Sequence, residues 1–142
     1  YGTVPVPKKK RSMPYRRITP RDMWVDDPSS PLYNQHFVLK HDPVTPWEFK
    51  QQMKLNDYAH SLKLFIRHNA AGDQGHPVAG GGSSIFFHIW RRDGQAPTAG
   101  CTAMSEENLR AMIAWLDPSK HPLYVLLPSR EYLRLRKAWG LP

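Results

Sequence analysis

Prolines limit what this chain can fold into. There are 14 in 142 residues, about double the usual share of ~5%, placed mostly in the first third and in loop-like stretches. Proline inside a helix or a central strand removes a backbone hydrogen bond, so long helices and wide regular sheets are excluded over much of the chain. The longest apolar runs, Ser84–Trp90 and Leu123–Leu127, are strand-sized, far short of the roughly 20 residues a membrane-spanning helix needs. Hydrophobic residues make up 40% and charged residues 23%, a balance that supports a packed core rather than disorder. One domain is expected, burying about two-thirds of the surface its unfolded chain exposes.

Charge narrows the partners. Twenty Lys+Arg against 12 Asp+Glu give a formal charge of +8, which favours anionic partners such as nucleic acid, lipid headgroups or an acidic wall polymer. Tyr1 rather than Met opens the chain, so further residues are expected upstream of it, and no targeting segment is visible. The single cysteine, Cys101, excludes an intramolecular disulfide and a multi-thiolate zinc site.

Residues 1–31 are basic and poor in periodicity, with Lys8-Lys9-Lys10-Arg11 and Arg16-Arg17, and read as an extended arm with one short strand and no core, its first 22 residues set apart as a basic N-terminal arm. His36–Lys40 alternates weakly as a strand. Thr45 before Pro46 is a helix start, a capping side chain followed by proline at the first helical position, with the helix over Trp47–Met53. Leu62, Leu64 and Ile66 alternate with Lys63, Phe65 and Arg67, the pattern of a half-buried strand. Asn69–Gly82 is a glycine-rich loop of the length that tends to be functional. Ser84–Trp90 is the clearest strand, with Ile85, Phe87 and Ile89 on one face and Phe86, His88 and Trp90 on the other. Ser105 caps the clearest helix, whose Leu109, Met112, Ile113 and Leu116 form a core-facing stripe. Leu123–Leu127 reads as a buried strand, and Ser129 as the cap of a last helix over Arg130–Trp139. The whole is mainly β, or α+β, with a few short helices.

Two residues carry candidate chemistry. Cys101 lies in Pro97-Thr98-Ala99-Gly100-Cys101-Thr102-Ala103-Met104, a turn of small residues leading into the Ser105-capped helix. Amides and the positive dipole end at a helix start favour a thiolate. Small neighbours keep bulk off the sulfur and let the Gly100 and Cys101 amides approach a developing oxyanion. The competing reading is a cysteine that is only a small buried hydrophobe. His88 sits mid-strand 13 residues earlier, where a strand, a loop and a return can bring imidazole to thiol. For His88 too a purely structural role competes, as a core histidine satisfied by backbone.

Ser83-Ser84-Ile85-Phe86-Phe87-His88-Ile89 and Pro97-Thr98-Ala99-Gly100-Cys101-Thr102-Ala103-Met104-Ser105 together resemble the signature of the YkuD-type L,D-transpeptidases: a histidine on a strand, then a Ser/Thr-x-Gly-Cys turn. Asp26-Asp27-Pro28, Pro31, Tyr33-Asn34 and the Asn69…Gly80-Gly81-Gly82 loop are similar to a proteobacterial branch. The resemblance runs from Met23 to Leu127. It implies a single YkuD-like β-sandwich-type catalytic domain over residues 23–142, in the periplasm or cell envelope, without a cofactor or metal. Its substrates would be peptidoglycan stem peptides, as donor and as acceptor. Cys101 would attack the bond between meso-diaminopimelate and the terminal D-alanine of a donor tetrapeptide, and His88 would move the protons. An acceptor amine would then resolve the thioester as a crosslink, or water would resolve it as a carboxypeptidase. Carbapenem-type inhibitors would acylate the same cysteine.

Thr98, Ala99 and Gly100 are expected to shape the oxyanion turn, and Trp90, Asn69, Ser84, Tyr33 and Arg91 to border the substrate. Many members carry histidine where Ala99 stands and arginine where Ala103 stands, so Arg91, Arg92 or Arg67 is expected to take the donor carboxylate. The other class of reading is a non-catalytic module binding wall or nucleic acid through its basic runs. Aromatic interleaving is thin there and no binding motif is present, so no nucleic-acid partner is expected. A zinc site on His68, His76 and His88 has no spacing rule behind it.

Overall fold

A computed structural model describes residues 1–70 and 75–142. Its elements are β1 (Asp22–Trp24), β2 (His36–Val38), α1 (Pro46–Lys50), β3 (Lys63–Phe65), β4 (Phe86–Ile89), β5 (Thr102–Met104), α2 (Glu106–Trp115) and α3 (Ser129–Leu135), with short 3₁₀ turns between some of them. β1 and β2 form an antiparallel pair, and β3-β4-β5 a mixed sheet in which β3–β4 is antiparallel and β4–β5 parallel. This is a small mixed α/β domain, and both faces of its central strand β4 are covered.

One face packs on α2. Phe87 and Ile89 of β4 join Leu62, Leu109 and Ile113 in a buried cluster, with Val4, Val6, Tyr15 and Leu64 against it. The other face meets the small sheet. Trp24 of β1 lies 4.2 Å from Phe65 and 5.0 Å from Phe86, ring centre to ring centre, in a cluster with Ile18 and Met53. The two sheets meet over these aromatic side chains, in keeping with the α+β class expected from the strand pattern.

The caps form as their sequences require. The Thr45 hydroxyl accepts from the Glu48 amide at 3.2 Å, and the Glu48 carboxylate accepts from the Thr45 amide at 2.9 Å, a complete capping box. The helix ends at Lys50 rather than at Met53. Gln51–Met53 instead pair with β1: the Gln51 carbonyl accepts from the Trp24 amide, and the Met53 amide donates to the Asp22 carbonyl. Ser105 caps α2 by accepting from the Asn108 amide at 3.2 Å, and Leu109 and Ile113 are buried as their spacing demands.

Three expectations are corrected. The first 22 residues are not coreless: Ile18 is buried, and Gly2 sits so close to Ser61 that a β-carbon there would lie 2.4 Å from the Ser61 carbonyl oxygen. Leu123–Leu127 is not a buried strand. Leu123 and Leu126 are exposed and the segment lies in no sheet, touching the domain through Tyr124, whose ring packs 4.7 Å from Phe87 and whose hydroxyl pairs with Thr102. An apolar run without a sheet edge to pair with has no reason to stay extended and buried. The last helix starts at Ser129 itself, with Pro128 in the cap position and no side-chain capping bond.

Candidate active site

β4 delivers His88 to the sheet interior at 2% exposure. Its neighbours across the sheet are Lys63 on β3 and Ala103 on β5. Cys101 stands two residues before Ala103, hence one strand over and roughly 6–7 Å back along the strand. Phe86 and His88 share a face, and Cys101 packs in the cluster that contains Phe86, so thiol and imidazole occupy the same side of the sheet.

The imidazole tautomer follows from its partner. His88 Nδ1 lies 2.8 Å from the carbonyl oxygen of Ile89. A carbonyl can only accept, so Nδ1 carries the proton and Nε2 keeps a lone pair. Burial pushes the His88 pKa below its usual value, the Ile89 carbonyl opposes this, and the nearby Arg91 charge lowers it further. The thiol donates to the Ser84 carbonyl at 3.6 Å, rather than to the imidazole.

The turn before Cys101 is built by Thr98 and Gly100. The Thr98 hydroxyl donates to the Cys101 carbonyl at 2.6 Å and accepts from the Gly100 amide at 3.3 Å. Gly100 has φ +133°, and a β-carbon there would sit 3.0 Å from Ile85 Cδ1. Only glycine meets both demands without strain.

A cavity of about 320 Å³ opens beside Cys101, walled by Ala99, Ser84, Ile85, Tyr33 and Asp26 among others. A second, of about 290 Å³, shares Tyr33 as a wall and is lined also by Pro31 and His76. Asn34 holds this wall. It is 3% exposed, with φ +53°, and its side chain accepts from Trp24 Nε1 (2.9 Å) and the Ser84 amide (3.1 Å) while donating to the carbonyls of His68 and Asn69.

Of the residues expected at the border, Ser84 and Tyr33 line the cavity. Asn69 closes the base of the 69–82 loop, bonding Val78 and the Gly82 carbonyl. Residues 71–74 of that loop, Gly72 included, lie outside the described residues. Trp90 is exposed, with its ring beside Gly94, and does not line the cavity. Arg91 pairs with the Asp57 carboxylate, and neither Arg67 nor Arg92 lines the cavity. His68 Nε2 is bonded to the Gly81 carbonyl, and among the described residues no group of histidine, cysteine and carboxylate side chains is placed to hold a metal ion. No helix among them is long and apolar enough to cross a membrane.

Three further residues, His60 and Lys63 beside His88 and Asp57 behind His60, are not announced by its sequence neighbourhood. The His60 ring stacks on it at 4.5 Å. Asp57 accepts from His60 Nδ1 at 2.8 Å and from Arg91. Burial would raise the Asp57 carboxyl, but those hydrogen bonds hold it down at about 2. Lys63 is 4% exposed; its ammonium donates to the Met53 carbonyl at 2.6 Å and lies 5.5 Å over the Phe86 ring. Burial brings its pKa down to about 8, with the Asp57 and Cys101 charges opposing the shift. The Asp57–His60 pair, three apart, was the one signal in the sequence; Lys63 stood on the face taken for solvent.

A histidine buried on an inner strand, and on the same side of the sheet a cysteine that follows a glycine turn and lines a cavity, make an arrangement suited to acyl transfer through a thioester. No curated protein and no solved structure matches the chain. The family model of the L,D-transpeptidase catalytic domain, YkuD, matches residues 3–125. The chain therefore belongs to the YkuD L,D-transpeptidase catalytic domain family.

Proposed function

We propose that the protein is a peptidoglycan L,D-transpeptidase of the cell envelope in which Cys101 is the nucleophile and His88 the proton carrier. The observation that carries this is the His88 Nδ1–Ile89 carbonyl bond, which leaves Nε2 basic on the side of the sheet where Cys101 stands.

The steps balance on these two residues. The thiol gives up its bond to Ser84 and passes its proton to Nε2. The sulfur attacks the carbonyl that joins the L-centre of the donor's diamino acid to its terminal D-alanine. The peptide C–N bond breaks, D-alanine leaves with the proton from His88, and a thioester remains. An acceptor amine then attacks, its proton passes to His88, and the regenerated thiolate takes that proton back as the crosslink forms. Water in place of the amine gives carboxypeptidase activity from the same thioester. In the 100–101 turn the Gly100 amide is taken by the Thr98 hydroxyl, so the Cys101 amide is the donor for the developing oxyanion. Carbapenem-type inhibitors are acyl donors to the same sulfur. Family membership supports peptidoglycan as the substrate, and the +8 charge suits a polymer rich in carboxylates.

Intact-mass measurement after mixing with a donor tetrapeptide tests the reading. A tripeptide adduct on Cys101, absent in Cys101→Ala, is expected. A wild-type protein that turns over the donor without cysteine-dependent adduct or product would overturn it.

A further inference from the structure

The cavity beside Cys101 has one charged group among its described lining residues, and it is an acid. Asp26 stands at the wall, exposed, its backbone amide held by the Gln51 side-chain oxygen at 2.6 Å and its carboxylate taking the Ser83 hydroxyl. Among the described residues it has no ion-pair partner, while the arginine expected to serve the substrate, Arg91, is committed to Asp57. A carboxylate on the wall of a cavity repels an anionic ligand group and attracts a cationic one.

We propose that Asp26 and Ser83 form a subsite for a substrate ammonium group, so that the stem-peptide residue seated beside Cys101 is recognised through a free side-chain amine. This rests on the transpeptidase reading for the identity of the peptide, not for the charge preference of the cavity. The ammonium held there is not the attacking amine, because a carboxylate partner keeps an amine protonated and therefore non-nucleophilic. It is the second amine of a donor diamino acid.

Two measurements test this. The first needs no substrate: the rates at which a cationic (trimethylammonium-ethyl) and an anionic (sulfonato-ethyl) methanethiosulfonate modify Cys101. Wild type should favour the cationic reagent, and Asp26→Asn should reduce that preference by roughly 3- to 10-fold, the range of a partly screened charge pair. An unchanged ratio would overturn the proposal. The second is the affinity of Cys101→Ala, with and without Asp26→Asn, for a tetrapeptide bearing a free side-chain amine and for its N-acetylated counterpart. The free amine should bind more tightly only when Asp26 is present; equal affinities, or equal losses for both peptides, would contradict it. If the reagent ratio shifts but neither peptide binds, the ammonium site stands and the peptidoglycan reading falls.

Discussion

The His60 imidazole lies on the His88 imidazole with ring centres 4.5 Å apart and planes inclined by 28°, and Asp57 anchors His60 from behind through Nδ1. His88 thus has its edge fixed by the Ile89 carbonyl and its flat side fixed by a second ring. An aromatic pair of this kind contributes about 1 kcal/mol beyond area burial. In His60→Ala we expect kcat to fall roughly fivefold with KM little changed, because the ring lines neither cavity and would act only by positioning His88, the proposed base. A rise in KM at constant kcat would place His60 in substrate binding instead.

The pH profile follows from burial. His88 protonates below its ordinary value of 6.5 because burial and the Arg91 and Lys63 charges disfavour the imidazolium, while the Ile89 carbonyl and the Asp57 charge favour it; the neutral stacked ring of His60 leaves that balance in place. With His88 as the proposed general base the active form is the neutral imidazole, so the acid limb of kcat/KM is expected below pH 6.5. Lys63→Met removes one positive neighbour and should move that limb upward. A limb unmoved by Lys63→Met, or one lying above 6.5 in wild type, would contradict this electrostatic account.

Lys63 also gives a stability prediction. Its pKa is about 8 when folded against the model-peptide 10.5, so between those values the unfolded chain binds more protons than the folded one. Stability contributed by this group therefore rises with pH across that window, by at most roughly 3 kcal/mol. Urea midpoints compared for wild type and Lys63→Met should show a gain from pH 8 to 10.5 that the variant lacks. Parallel curves would mean that the amine is solvated.

Gly100→Ala meets both a φ of +133° and the Ile85 methyl 3.0 Å from the new carbon. We expect a loss of about 1–3 kcal/mol in stability and a slower alkylation of Cys101 as the turn is displaced. Ile85→Val relieves the contact without relieving φ, so the double variant should recover part of the stability only. Full recovery would show that backbone strain at Gly100 is negligible.

How much of this was legible depends on whether the cause is local. Ser105 and the Leu109–Ile113 stripe specify their helix within one stretch of chain, and Thr45-Pro46 likewise specifies where α1 starts. Where α1 stops was not readable, because Gln51–Met53 are drawn out by pairing with β1, some thirty residues earlier in the chain. That His88 sits on a strand and that Cys101 follows a small-residue turn was legible because both are local patterns. Lys63 was not: alternation with Leu62 and Leu64 separates two faces, but says nothing about β1 covering the second one. Leu123–Leu127 misled for the same reason in reverse, an apolar run that finds no strand to pair with. His60 and Asp57 reach His88 only because residues 57–60 fold along β4, the Ala59 carbonyl accepting from the Ile89 amide.

The central claim is that Cys101 passes an acyl group between stem peptides. Mass spectrometry of purified tetrapeptide muropeptides incubated with wild type and with Cys101→Ala tests it most directly. The account predicts crosslinked dimers with loss of D-alanine in wild type and none in the variant, with fragmentation identifying the acceptor nitrogen. Dimers formed equally by Cys101→Ala, or muropeptides left unchanged by wild type, would contradict it.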